Sequence, residues 1–194
     1  MWQALAAHSR QRFHADAELA SRASDLEQAL SELCFAIARE TGDATKGGLQ
    51  RALALRSRPA AGGKSHYECI NQLIHYWYCC AAARHLLSMG FPEIVMRPTG
   101  HDNAADGEED AFDLDGTHPQ LGRLVGEVFC VSEALWDSKM GKTRRKLEDS
   151  DAPIRAAFYN VEAKPKYRPK MKRLTVLGIE SPSGVVREIA STGD

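Results

Sequence analysis

With 194 residues, 43% hydrophobic side chains and a formal net charge of −1 from 25 Lys and Arg against 26 Asp and Glu, the chain has the make-up of one globular domain with room for an appended piece. That balance excludes a uniformly basic protein that coats polyanions, and no run approaches the ~18 apolar residues of a membrane span. The signs are nonetheless segregated, with acids through residues 102–115 and most of the later basic residues in 139–173.

Five cysteines, Cys34, Cys69, Cys79, Cys80 and Cys130, form an odd set without Cys-x-x-Cys spacing. Most sit in apolar patterns, where a free thiol packs as a small hydrophobe, so a reducing compartment is expected rather than a disulfide framework. The first residues, Met-Trp-Gln-Ala-Leu-Ala-Ala-His, reach charge too soon for a signal sequence, and the expected location is cytoplasmic.

In chain order, residues 15–40 predict an amphipathic helix. Leu19, Ala23, Leu26, Leu30, Leu33 and Ile37 recur at alternating four- and three-residue steps. Such a seam can pack on its own domain or pair across a homodimer, and the dimer is the expectation taken here. Leu49, Leu53 and Leu55 suggest a weaker helix ended by Pro59-Ala-Ala-Gly-Gly63. Gly63-Lys64-Ser65 is no phosphate-binding P-loop, because Arg58 stands where the first glycine belongs and no buried strand precedes it. Residues 1–64 therefore read as an N-terminal helical segment, and 65–194 as an α/β domain ending in a basic loop and a hairpin.

Residues 65–89 give the clearest helix, with a capping box from Ser65 and Glu68, then Gly90 and Pro92 as stop signals. Its surface is apolar nearly all round, apart from a polar line of Glu68, Gln72 and His75 on one face. Strands are predicted at 91–96, 112–115 and 124–131, the last two joined as a hairpin after an acidic loop at 99–110. Asp115 before Gly116 reads as a turn residue, and His101 and His118 as loop residues. Ser132 then caps a lysine-rich helix over 135–147. A strand at 154–161, a proline-broken basic loop at 164–173 and a terminal hairpin of 174–180 and 185–189 complete the chain. No internal repeat is visible.

The chemistry gathers on Asp113 and Glu127. Both faces of the strand around Glu127 are apolar, so its carboxylate should be buried, which is costly unless it is paired or metal-bound. Two carboxylates ~4 Å apart repel by ~4 kcal/mol at an effective dielectric of ~20. A hard dication between them reverses that cost, and Mg²⁺ is commonly held by one or two carboxylates with water and phosphate. On the lysine-rich helix, Leu135, Trp136, Met140, Thr143 and Leu147 make the expected buried stripe. Lys139 lies at its margin and is expected to reach the acids, with Lys142 and Lys146 further toward solvent. Each acid also has a structural reading, Asp113 as a hairpin acid and Glu127 as a buried structural acid. Glu68 has one too, as the second half of its capping box and nothing more.

These residues resemble the PD-(D/E)XK superfamily of restriction-endonuclease-like nucleases, over roughly residues 65–161. The resemblance implies an α-β-β-β-α-β core with a mixed sheet, Asp113 and Glu127 as the motif acids, and Glu68 as the accessory acid. It implies Mg²⁺ or Mn²⁺ held by Asp113, Glu127 and Glu68, with Lys139 assisting; Gln72, on the Glu68 face of its helix, is expected to orient water or substrate. The family lysine belongs two residues after the second acid, where this chain has Phe129, so Lys139 is read as its migrated replacement. The function implied is metal-dependent hydrolysis of DNA of restriction or repair type. Lys142, Arg144, Arg145, Lys146, Lys164, Lys166, Arg168, Lys170, Lys172 and Arg173 would hold the nucleic-acid backbone. The alternative is a module of the same fold that has lost catalysis and binds nucleic acid or a protein partner.

Overall fold

A computed structural model of the chain describes residues 11–41, 65–97, 112–167 and 173–191. The expected short helix near Leu49, the acidic loop at 99–110, and Arg168, Lys170 and Lys172 lie outside the described residues. Within them the chain is mixed α/β. Strand β1 (Gln11–Phe13) and helices α1 (Asp16–Thr41) and α2 (His66–Ser88) lead to strands β2 (Ile94–Met96), β3 (Leu114–His118) and β4 (Gly122–Phe129). Helix α3 (Glu133–Glu148), β5 (Ile154–Asn160), a 3-10 turn (Val161–Ala163), β6 (Leu174–Ile179) and β7 (Val186–Ser191) follow.

The strands form one seven-stranded mixed sheet in the order β1-β2-β3-β4-β5-β6-β7. Neighbours are antiparallel from β1 to β4 and again between β6 and β7, whereas β4, β5 and β6 run parallel. A parallel step needs a long crossover, and α3 makes it between β4 and β5. A strand at such a step is covered on both faces, which accounts for the unbroken burial of β4 from Leu124 to Phe129. Leu124 and Val128 pack toward α1 and α2, while Val125 and Phe129 pack toward α3.

Local chemistry sets the helix bounds. Ser65 Oγ accepts the Glu68 N–H at 3.2 Å and opens α2 as the capping box requires. At the other end Gly90 takes φ +96°, a conformation that costs glycine least. Between them α2 is buried at every position from Tyr78 to Ala83, so that stretch is covered all round. One side is covered by the sheet and another by α1.

The seam of α1 is used up within the subunit. Leu19, Leu26 and Leu33 are buried in the core shared with α2, and Ala23, Leu30 and Ile37 are packed against it. Arg84 Nε meets Asp16 Oδ1 at 2.6 Å, and Trp77 Nε1 donates to Glu27 at 2.9 Å, which ties the helices along their length. Most of the seam that suggested a homodimer thus packs within the subunit. Strand β1, which the sequence did not suggest, hydrogen-bonds to β2 in the same sheet. The described part of residues 1–64 thus shares one core with the rest.

The hairpin also differs from expectation. Asp115 lies in β3 rather than a turn, and pairs across the hairpin with Arg123 at 2.8 Å. The turn itself comes after His118, whose Nδ1 accepts the N–H groups of Gln120 and Leu121 at 3.1 and 3.2 Å. Gly116 has to be glycine here, since a Cβ would lie 2.7 Å from Ile94 Cδ1 and 3.0 Å from the Glu93 carbonyl. No helix among the described residues is long and apolar enough to cross a membrane.

Candidate active site

Asp113 immediately precedes β3, and its placement follows from backbone bonds. Its carbonyl accepts the Arg97 N–H at 2.8 Å, which holds it to the end of β2. Its side chain turns to the other neighbour, where Oδ2 accepts the Val128 N–H at 2.8 Å. Oδ1 lies 3.5 Å from His75 Nε2 on α2. The β3–β4 register pairs Leu114 with Gly126, and one residue further that register sets Asp113 beside Glu127. Glu127 shares its strand face with Val125 and Phe129, toward α3. There Lys146 Nζ approaches Glu127 Oε1 to 2.6 Å and stands 5.3 Å from the Phe112 ring centre.

Both carboxylates are buried, Asp113 at 3% and Glu127 at 6% exposure, and their environments separate them. Burial, then the charge of Asp113, pushes the Glu127 carboxyl up to about 7 against the opposing pull of Lys146 and Lys139. Burial opposes ionisation of Asp113 too, but His75, the Val128 N–H and Lys146 outweigh it and hold that carboxyl below its ordinary value. One acid is thus anchored in its charged form while its neighbour resists charging. A cation beside them relieves the strain of charging both.

The structure gives the inward lysine as Lys146, not Lys139. The two lie close in angle around α3 but seven residues apart, which is about 10 Å along the axis. Glu127 is level with the Lys146 end. Lys139 is half-buried and acts on Glu127 through its field.

The polar line of α2 divides similarly. Glu68 is exposed in the first turn, with its N–H on the Ser65 cap, and Gln72 is half-buried one turn later. His75 is the member brought to Asp113. Among the described residues no group of three or more His, Cys, Asp and Glu is placed to hold a metal ion, so Glu68 does not complete a triad with Asp113 and Glu127. Two carboxylates are the number of protein ligands that a hard cation of the Mg²⁺ type commonly takes, with the remaining positions left to water and substrate oxygen. They do not form a closed cage.

Phe129, two residues after Glu127, cannot be replaced by an ammonium without breaking an aromatic cluster. It stacks on Tyr159 at 5.8 Å and lies 6.4 Å from Trp136, which in turn meets Tyr167 at 4.7 Å. Cys79 Sγ lies 3.6 Å from His75 Nε2, the same nitrogen that faces Asp113. Burial, with the nearby carboxylates, pushes that thiol well above its usual range. A buried neutral thiol sharing one imidazole nitrogen with the acid is no nucleophile relay.

The basic residues fall into three groups. Lys142, Arg145, Lys166 and Arg173 are exposed. Arg144 is half-buried beside Glu148, and Lys164 lies over the Trp136 ring at 5.6 Å with Asp137 at 3.9 Å. Lys146, expected on the nucleic-acid surface, is engaged with Glu127. Sequence reasoning thus missed His75 and Lys146 as parts of the acidic site. The shared face of Glu68, Gln72 and His75 was the available signal for the first; the second had none, because its axial level is a tertiary property.

In comparisons with known proteins, no family model, no curated protein and no solved structure matches the chain.

Proposed function

We propose that the chain is a metal-dependent nuclease that hydrolyses DNA phosphodiester bonds, with Asp113 and Glu127 as its acidic pair and Lys146 as its lysine. The observation that carries this reading is the meeting, between α2 and α3, of two buried carboxylates, one in β4 and one just before β3, with an ammonium 2.6 Å from one of them. The succession α2-β2-β3-β4-α3-β5 and the mixed sheet support a restriction-endonuclease-like core. Lys146 takes the part expected of Lys139.

Mg²⁺ or Mn²⁺ held by Asp113 and Glu127 would neutralise phosphate charge and lower the pKa of a bound water. The Val128 N–H and His75 fix the direction of the Asp113 carboxylate. Lys146 supplies a mobile ammonium for charge that develops on the phosphate in the transition state. Hydrolysis breaks one P–O ester bond: the water oxygen joins phosphorus and a proton ends on the departing alcohol. Lys142, Arg145, Lys166 and Arg173 are exposed cations that would line the path of the phosphate backbone.

A binding module without catalysis is the second reading. It is favoured by the contact of Lys146 with Glu127, which gives the buried carboxylate an opposite charge within the chain. Incubation of the purified protein with linear, nicked, single-stranded and branched DNA, under Mg²⁺, Mn²⁺ or chelator, separates the two. The nuclease reading expects cleavage that needs the cation and is lost in Asp113→Ala. Salt-sensitive DNA binding without cleavage of any form supports the module.

A further inference from the structure

The Glu127 carboxylate is buried, with 8% of its side chain exposed, whereas the Lys146 side chain that neutralises it is 28% exposed. The acid is fixed on a central strand; the lysine reaches it at the end of a flexible four-carbon stem from a surface helix. An ammonium 2.6 Å from Oε1 lies where a divalent cation bound to that oxygen would stand. A cation held between Asp113 and Glu127 would therefore compete with the ammonium for one oxygen and repel its charge. The same ammonium stands 5.3 Å from the Phe112 ring centre, so the carboxylate is not its sole favourable neighbour.

Resting on the metal-dependent reading above, we propose that Lys146 is a displaceable occupant of the cation position. It neutralises Glu127 in the cation-free protein, and cation binding drives it off the carboxylate and turns it toward an anionic substrate. The same side chain thereby serves two states. Without the cation it spares the fold a buried unpaired charge. With the cation it becomes an ammonium available beside the site, so cation and polyanion each favour the other's binding. Lys139 acts on Glu127 through its charge, whereas the ammonium at the carboxylate oxygen is that of Lys146.

Calorimetric titration of Mn²⁺ into the full chain tests this, in alkaline buffer where both carboxylates are ionised. Lys146→Met removes the competitor and is expected to bind Mn²⁺ about tenfold more tightly than wild type, while Lys146→Arg stays within about twofold. Equal or weaker binding by a folded Lys146→Met, with wild type still binding, overturns the displacement and leaves the metal-dependent reading standing. Absence of binding in every form overturns both. Acylation footprinting of wild type, read by mass spectrometry, needs no variant to fold: Lys146 should label several-fold faster with Mn²⁺ present. An unchanged or slower rate overturns the proposal.

Discussion

At Glu127 the fold accepts a cost that its chemistry explains. Burial and the Asp113 charge raise this carboxyl from 4.5 to about 7, so between those values the folded chain holds a proton that the unfolded chain has released. Stability should therefore fall as pH rises from 4.5 to about 7 and level off above it. Asp113 has the opposite sign. Its carboxyl is held below 3.8, so its contribution is complete above that pH and is lost on further acidification. Glu127→Gln should flatten the fall between 4.5 and 7 in thermal melts, and a slope equal to that of wild type would contradict the assignment. Asp113→Ala removes the acceptor of the buried Val128 N–H, at about 1–3 kcal/mol, and should lower cleavage by about a hundredfold or more. Chemical denaturation and turnover measured on one preparation check both. Phe129→Lys, which puts a lysine two residues after the second acid, should cost several kcal/mol because it buries a charge among Tyr159 and Trp136. A stable Phe129→Lys with raised activity would show that the aromatic cluster is not what excludes the lysine.

At the scale of elements, what could be read from the sequence was what local chemistry decides. The start of α2 was legible in Ser65 and Glu68, because a capping box needs only four consecutive residues. The buried β4 was legible in apolar side chains on both of its faces. Strand β1 was not, since three residues carry no usable period and Gln11–Phe13 becomes a strand only by bonding to β2. The shift of β3 toward His118 has the same origin: Gly116 is inside a strand because it pairs with Ile94 of β2, and Ile94 and Glu93 leave little room there for a side chain. For the candidate site, the wheel of α2 put His75 on the correct face. The wheel of α3 favoured Lys139 and put Lys146 further toward solvent, although seven residues separate them by only about 20° in angle; packing on β4 sets the axial level and selects Lys146. The seam of α1 was also visible, but its partner was not, and α2 took it within the chain. Leu26→Ala should accordingly cost about 2–5 kcal/mol in urea denaturation, as for other fully buried leucines. A cost under about 1 kcal/mol would mean that the packing of α1 on α2 is not part of the cooperative core.

For the whole molecule, the net charge of −1 conceals exposed cations that a polyanion could reach. DNA binding should weaken linearly with the logarithm of salt concentration. Replacing Lys142 and Arg145 together by alanine should lower the slope by about 2, or about one unit for each phosphate no longer neutralised. A slope unchanged by the double substitution would move the interface elsewhere. Sedimentation bears on assembly. With Leu30 packed against the subunit core, Leu30→Glu should lower the melting temperature without changing the sedimenting species. A dimer that becomes a folded monomer would return the α1 seam to an intermolecular role. The claim that joins these scales is that the lysine of the acidic site is Lys146. Cleavage rates of Lys146→Ala and Lys139→Ala, measured side by side under Mg²⁺ on whichever DNA form wild type cuts, test it most directly. Lys146→Ala should fall by about a hundredfold or more and Lys139→Ala by far less. The reverse order, or no cation-dependent cleavage by wild type on any form, would contradict it.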